Sequence, residues 1–306
     1  MLRQAENKVN IEGILSEIDL KYGSFTKNGK PVESVGGTIK VKVNQQINGE
    51  QKNLEIPIHM FASKLTNKGT ANPAYESIER VMNSYTSIAA AGSEAGADYV
   101  RITNANINMN EYHSAEGRLI SFPRINASFV TKAKKEEVKP QATFAVEFVV
   151  AASGYDTDAE GNEIPERYKV RGVIPQYGGR VDIVDFVVKS PGAIEAISSY
   201  WGQGDTVKAQ GRLNFSSTVE TVTEEVDFGE PIERTRTINV SELVITGGSQ
   251  TPLDGEFAYD EDEIKQALAE RKARLEEQKN KDINRAKQRT APPQTEKKGS
   301  FDDVGF

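Results

Sequence analysis

The sequence predicts a mainly β chain: two similar five-stranded units in tandem, then a helix and a polar tail. Three observations predict it. Apolar and polar residues alternate with period two through most of the chain up to about residue 248, as in Ile39-Lys40-Val41-Lys42-Val43 and Arg236-Thr237-Ile238-Asn239-Val240. Two short segments break that alternation in corresponding places. The residues flanking those segments recur in the same order, which is the signature of an internal duplication.

In the first unit, strands are expected near 8–20, 35–47, 52–62, 98–108 and 118–131, with a helix over Ala74–Met82 entered through Asn72-Pro73. In the second, strands are expected near 142–153, 167–175, 179–189, 205–216 and 234–246, with a helix over Ala193–Tyr200 entered through Ser190-Pro191-Gly192. Ile56–Lys64 matches Val181–Lys189 before the helices, and Gly96-Ala97-Asp98 matches Gly204-Asp205 after them. The closing strands pair Ile125-Asn126-Ala127-Ser128 with Ile238-Asn239-Val240-Ser241. A helix between the third and fourth of five strands is the order of an OB-fold barrel. The reading is therefore two tandem OB-fold-like barrels, over 1–135 and 141–248, with a charged, exposed linker Thr131–Pro140 between them.

Residues 257–290 read as a charged helix, acidic at its start (Asp260 to Glu263) and basic at its end (Arg285, Lys287, Arg289), as the helix macrodipole favours. Ile264, Leu268 and Leu275 share a side, but Arg271 interrupts the stripe, so the helix is expected to be mostly solvated. Residues 291–306 read as a disordered acidic tail.

Composition excludes much. The chain of 306 residues has no cysteine and two histidines, His59 and His113, which leaves no disulfide scaffold, zinc ribbon, thiol nucleophile or multi-histidine metal site. There is no apolar run of membrane-spanning length and no secretory pattern at the start, so a cytoplasmic protein without a membrane partner is expected. The net charge of -7 is uneven. Residues 1–140 carry 18 basic against 15 acidic groups, whereas 141–253 carry 9 against 17, so a polyanion would prefer the first unit. Phosphate-loop, nucleophile-elbow and zinc-protease motifs are missing, and no enzyme, cofactor or metal is expected. Asp156, Asp158, Glu160 and Gly161 begin like a calcium loop, but Arg167 stands where the closing glutamate belongs, so a solvated turn is expected.

OB-folds bind single strands across strands two and three, between the loops joining strands one to two and four to five. Such binding needs cations for phosphates and flat rings for bases. The first unit offers both: Tyr22, Phe25, Lys27 and Lys30 in the first loop, Lys40 and Lys42 along strand two, and Tyr112, Arg118, Phe122 and Arg124 about the last loop. The second unit offers Tyr155, Arg167, Tyr168, Lys169 and Arg171, with Tyr177 and Arg180 further on, beside an acidic loop, as secondary contacts or a protein interface.

The chain ends Phe301-Asp302-Asp303-Val304-Gly305-Phe306. A terminal ring on a flexible tether fills an apolar pocket while its carboxylate and the aspartates meet a basic rim. The tip resembles that of the bacterial single-stranded DNA-binding proteins, which end Asp-Asp-Ile-Pro-Phe, and is similar to acidic tails of phage proteins of that kind. Gly305 departs from the bacterial proline. The resemblance implies a phage-type protein of the bacterial host cytoplasm that coats single-stranded DNA without strong sequence preference during replication or recombination. It implies partner-binding roles for Asp302, Asp303, Val304 and Phe306, which would recruit replication or recombination proteins. The rival expectation is a protein–protein adaptor whose barrels never touch nucleic acid.

Overall fold

The structure, a computed structural model, describes residues 2–47, 50–224 and 232–290. The tip residues Asp302, Asp303, Val304 and Phe306 lie outside them.

Strands β1 (Asn7–Lys27), β2 (Lys30–Ile47) and β3 (Glu50–Ser63) form an antiparallel meander. Helix α1 (Pro73–Ser84) and a single turn α2 (Ile88–Ala91) follow, then β4 (Tyr99–His113) and β5 (Leu119–Asn126). β5 returns parallel to β3 at Ile58↔Ile125 and antiparallel to β4, and β4 returns to β1. The ring closes in the order β1-β2-β3-β5-β4, the topology of an OB-fold. A short β6 (Thr131–Ala133) pairs with the edge of β4. The second ring repeats the order with β7 (Gln141–Thr157), β8 (Glu163–Pro175), β9 (Val181–Val188), α3 (Pro191–Tyr200), β10 (Thr206–Glu224) and β11 (Ile232–Gly248), closed by the parallel pair Val187↔Val244. Helix α4 (Glu261–Thr290) ends the described chain. The mainly β fold with two OB-like rings is the one the sequence predicts.

Local chemistry starts and stops the helices. Asn72 accepts a hydrogen bond from the Ala74 amide and Pro73 pre-sets the first turn of α1, which buries Tyr75, Ile78 and Val81 beneath the first ring. The Tyr85 amide closes α1 on the Val81 carbonyl, and the Trp201 amide closes α3 on that of Ile197.

The duplication extends to single hydrogen bonds. β1 bulges between Leu15 and Glu17, and β7 between Val150 and Ala152. The Leu15 amide donates to Asp98 O and the Val150 amide to Asp205 O, both at 2.9 Å. Making Leu15 equivalent to Val150 puts Val41 on Gly172 and Ile56 on Val184. This corrects two sequence matches: Ile56 corresponds to Val184 and not Val181, and Ile125 to Leu243 and not Ile238. Both matches err by an odd number of residues, and in a strand that exchanges the two faces.

Other expectations are corrected too. The first loop is an arm: β1 and β2 continue as a hairpin to Asn28-Gly29, whose φ values of 50° and 73° make the two-residue turn that suits a twisted ribbon. The linker 131–140 is partly strand, because β6 satisfies the open edge of β4 at Tyr99–Arg101, and Lys132 pairs with Asp98 and lies over the Tyr85 ring.

Helix α4 is docked along one side, while most of its residues stay exposed as expected. Ile264 and Ala267 are buried with Leu2, Val149, Val173 and Val181 at the base of barrel two. Further along, Leu275 is buried and Arg271 pairs with Glu111 of β4, both side chains nearly enclosed. The residue that interrupts the apolar stripe is thus itself a buried contact.

Candidate nucleic-acid interface

Period two sorts β3 cleanly. Leu54, Ile56, Ile58, Met60 and Ala62 point into the barrel, leaving Glu55, Pro57, His59 and Phe61 outside. β5 turns Ile125 inward and sets Phe122, Arg124 and Asn126 toward the surface. Because β3 and β5 run parallel with Ile58 beside Ile125, His59 lies beside Asn126, and Pro57 beside Arg124.

A trench follows this outer face. One concavity of about 570 Å³ is lined by His59, Phe61, Arg124, Asn126 and Phe129. A second, of about 390 Å³, shares His59 and Arg124 and reaches Thr38, Phe122 and, from barrel two, Phe215 and Ser241. β10 packs against β3, so the β10–β11 arm of the second barrel supplies part of the far wall. Phe61, Phe122 and Phe129 are 54%, 41% and 55% exposed. Rings stand at both ends: Phe25 lies 6.0 Å from Phe61, and Tyr112 lies edge-on to Phe122 at 6.4 Å. At about 3.3 Å per residue along β3, the Phe61 and Phe122 levels are roughly 20 Å apart.

Arg124 stands at the centre. Its side chain makes no ion pair or hydrogen bond with any described residue, and burial lowers its pKa. Burial, and then the Arg124 charge, lower the pKa of His59, which favours its neutral form. A cation denied a counter-ion by its own protein is open to an anion from outside.

The other expected residues divide. Lys40 and Lys42 do lie on the outer face of β2, but they pair with Glu17 at 2.6 Å and Glu94 at 2.7 Å. Tyr22 turns toward α1, donating to Glu79 and accepting from Asn83. Lys27 and Lys30 face each other across the tip of the arm, with Lys27 donating to Asn67. Arg118 is highly exposed in the β4–β5 turn.

In barrel two Arg167, Lys169, Arg171 and Lys189 are matched internally, whereas Arg212, whose pKa burial lowers, has no side-chain partner among the described residues. Asp156 receives Arg167 and Lys169, each at 2.5 Å; Glu242 receives Arg167, Lys189 at 2.7 Å and Asn214. Arg171 and Asp185 form a two-point pair at 2.7 and 2.9 Å. Tyr168 is buried against Tyr155 and offers no open ring; Tyr155 remains 43% exposed. Asp156 serves this network, while Asp158 closes its turn through the amides of Glu160 and Asn162.

The network has a pH signature. Hydrogen bonds from Lys169 and then Arg167 hold Asp156 at about 2 against its own desolvation. Burial would raise Glu242, but Lys189, Arg167 and Asn214 outweigh it and hold it at about 2. Both folded values lie below the ordinary carboxylate range, so the stabilisation is complete above about pH 5 and is lost as pH falls toward about 2. Urea unfolding should show a midpoint falling through that window, with a shallower fall in Glu242→Gln than in wild type.

Sequence reasoning missed Phe61, Phe129 and His59. Phe61 had a signal, an aromatic on the polar phase of an alternating strand. Phe129 had none, since it follows the end of β5 in irregular chain.

The YorF family model matches residues 5–281, both rings and most of α4. The chain belongs to the YorF family. No curated protein matches it. Among solved structures, this YorF-family chain is similar to the wild-type single-stranded DNA-binding protein from Thermus aquaticus, with 9% identity and a TM-score of 0.49, over 85% of this chain and 99% of that one. A deletion mutant of the same Thermus protein gives 10% identity and a TM-score of 0.46, over 82% of this chain and 97% of that one.

Proposed function

We propose that this YorF-family chain binds single-stranded DNA along the trench of barrel one, with little preference for sequence. The observation that carries the reading is the placing of exposed rings on either side of an unpaired arginine, on the outer face of an OB-like barrel. Phe61, Phe122 and Phe129 stack bases, with Phe25 and Tyr112 behind them at the two ends. Arg124 takes a phosphate, and Lys27, Lys30 and Arg118 meet the backbone at the margins. Stacking tolerates any base, which accounts for breadth of sequence. A duplex has its base faces stacked inside it and offers none to these rings, so it is expected to bind poorly here. Lys40, Lys42, Lys169 and Arg171 are secondary, because a phosphate must displace a carboxylate from each. The acidic tip would recruit proteins of replication or recombination to the coated strand.

Fluorescence anisotropy of labelled oligo(dT), repeated at several salt concentrations with duplex competitor, tests this. Affinity should fall with salt by about 0.7 in the log–log slope for each phosphate neutralised, and duplex should not displace the strand. Absence of binding at low salt, with residues 291–306 removed as well, would end the proposal in favour of an adaptor.

A further inference from the structure

A second cleft opens from the same trench. It shares Asn106 and Asn126 with the first concavity and holds about 560 Å³ between the barrels. Its floor is β4, where Asn106, Asn108 and Asn110 recur with period two. One wall is the turn between β8 and β9, carrying Tyr177 and Arg180; the other is α4, carrying Arg274 and Gln278. At 84% exposure Tyr177 is the barest large ring among the described residues. It is held out by a tight turn, in which the Gln176 amide donates to Arg180 O at 2.7 Å and Gly178 and Gly179 both take positive φ.

The charges of the cleft favour an anion at its rims. Two carboxylates line the cleft, Asp182 of β9 and Glu111 of β4, and both are occupied. Asp182 accepts from the Met109 amide at 3.2 Å and from Gln176 at 3.1 Å, and Glu111 holds Arg271. The side chains of Arg180 and Arg274 make no ion pair or hydrogen bond with any described residue. The uncompensated charge is therefore cationic and peripheral, and the floor is lined with amides.

We propose that this cleft is a second subsite for the same single strand. The inference rests on reading the trench as the first. Tyr177 stacks a base, Arg180 and Arg274 take flanking phosphates, and the amides of Asn106 and Asn110 face base edges, Asn108 being held by Asn126 and Asp182. The strand then leaves the outer face of barrel one and turns between the barrels under α4. The matching face of barrel two is a poorer path, because Arg167, Lys169, Arg171 and Lys189 are held there by carboxylates and, among the described residues there, Arg212 alone is left without a side-chain partner.

The test uses the full chain and two lengths of labelled oligo(dT), about 5 and about 20 nucleotides, which bracket one OB-fold's site and a longer path. Tyr177→Ala removes an exposed ring without emptying the core. It should leave the short strand unaffected and weaken the long one about five- to a hundredfold, the equivalent of one lost stack. Arg180→Ala with Arg274→Ala should reduce the long strand's salt slope by about 1.4, for two phosphates. Wild-type binding of the long strand by these variants, or equal losses at both lengths, overturns the second subsite. Phe61→Ala is the control: if it weakens both lengths while the cleft variants weaken neither, only the cleft fails. If Phe61→Ala also changes nothing, the trench itself is not the site.

Discussion

Phe61→Ala is expected to lower affinity for oligo(dT) about five- to a hundredfold, because a base stacked on an aromatic side chain contributes about 1–3 kcal/mol. The same substitution should scarcely move the thermal midpoint. Phe61 stands on the outer phase of β3, more than half exposed, while the core phase of that strand is carried by Ile58 and Met60. Its main neighbour is another surface ring, Phe25. Titration of labelled oligo(dT) beside a thermal melt checks both halves. Lys40→Ala provides the contrast, since Lys40 already has Glu17 for a partner and its loss should cost binding little. Equal losses from the two variants would show that charge, not stacking, dominates.

Arg271→Ala is expected to destabilise the chain by about 3–5 kcal/mol, the usual result of removing one member of a buried ion pair. The two side chains retain 12% and 8% exposure, so Glu111 would be left charged and enclosed between β4 and α4. Arg271→Met combined with Glu111→Leu should recover most of the loss, because an apolar pair leaves no charge to solvate. Urea unfolding of the three variants decides the matter. A loss below about 1 kcal/mol would place the pair among ordinary surface bridges.

These two residues also mark what could be read from the sequence. Phe61 and Arg124 lie on the outer phase of their strands, and alternation alone gives that phase. The arm turn was legible in Asn28-Gly29. The pairing of charges was not: Glu17 and Glu242 reach their partners across strand neighbours, and Glu94 reaches Lys42 from the turn before β4, placements that only the fold creates. Arg271 looked like a flaw in an apolar stripe because its partner is 160 positions away. The duplication was visible in its order and misread in its register, and the packing shows one reason. Gly13 and Val41 pack together in barrel one, where a Cβ on Gly13 would stand 3.0 Å from Val41 Cγ1. The equivalent places in barrel two hold Phe148 and Gly172, and a Cβ on Gly172 would meet the Phe148 ring at 2.6 Å. Large and small have changed places across the pair, which keeps the two side chains complementary and erases identity. Phe148 then stacks on Phe186 at 4.9 Å, giving barrel two an aromatic centre where barrel one is aliphatic.

The first strands of the two rings also pair with each other, Asn7–Glu12 against Val146–Gln141. Each ring thereby seals the other's open margin, so the halves are not separable modules on a string. A chain cut between them would bare a ladder of donors and acceptors along Asn7–Glu12 that water alone would satisfy. Two such halves have antiparallel symmetry on their side, and pairing margin to margin would rebuild from two short molecules the arrangement that one long molecule now carries. Covalent fusion frees the second half from being a copy of the first. That freedom is what lets its surface trade open cations for internal pairs, and its arm become a wall of its neighbour's trench.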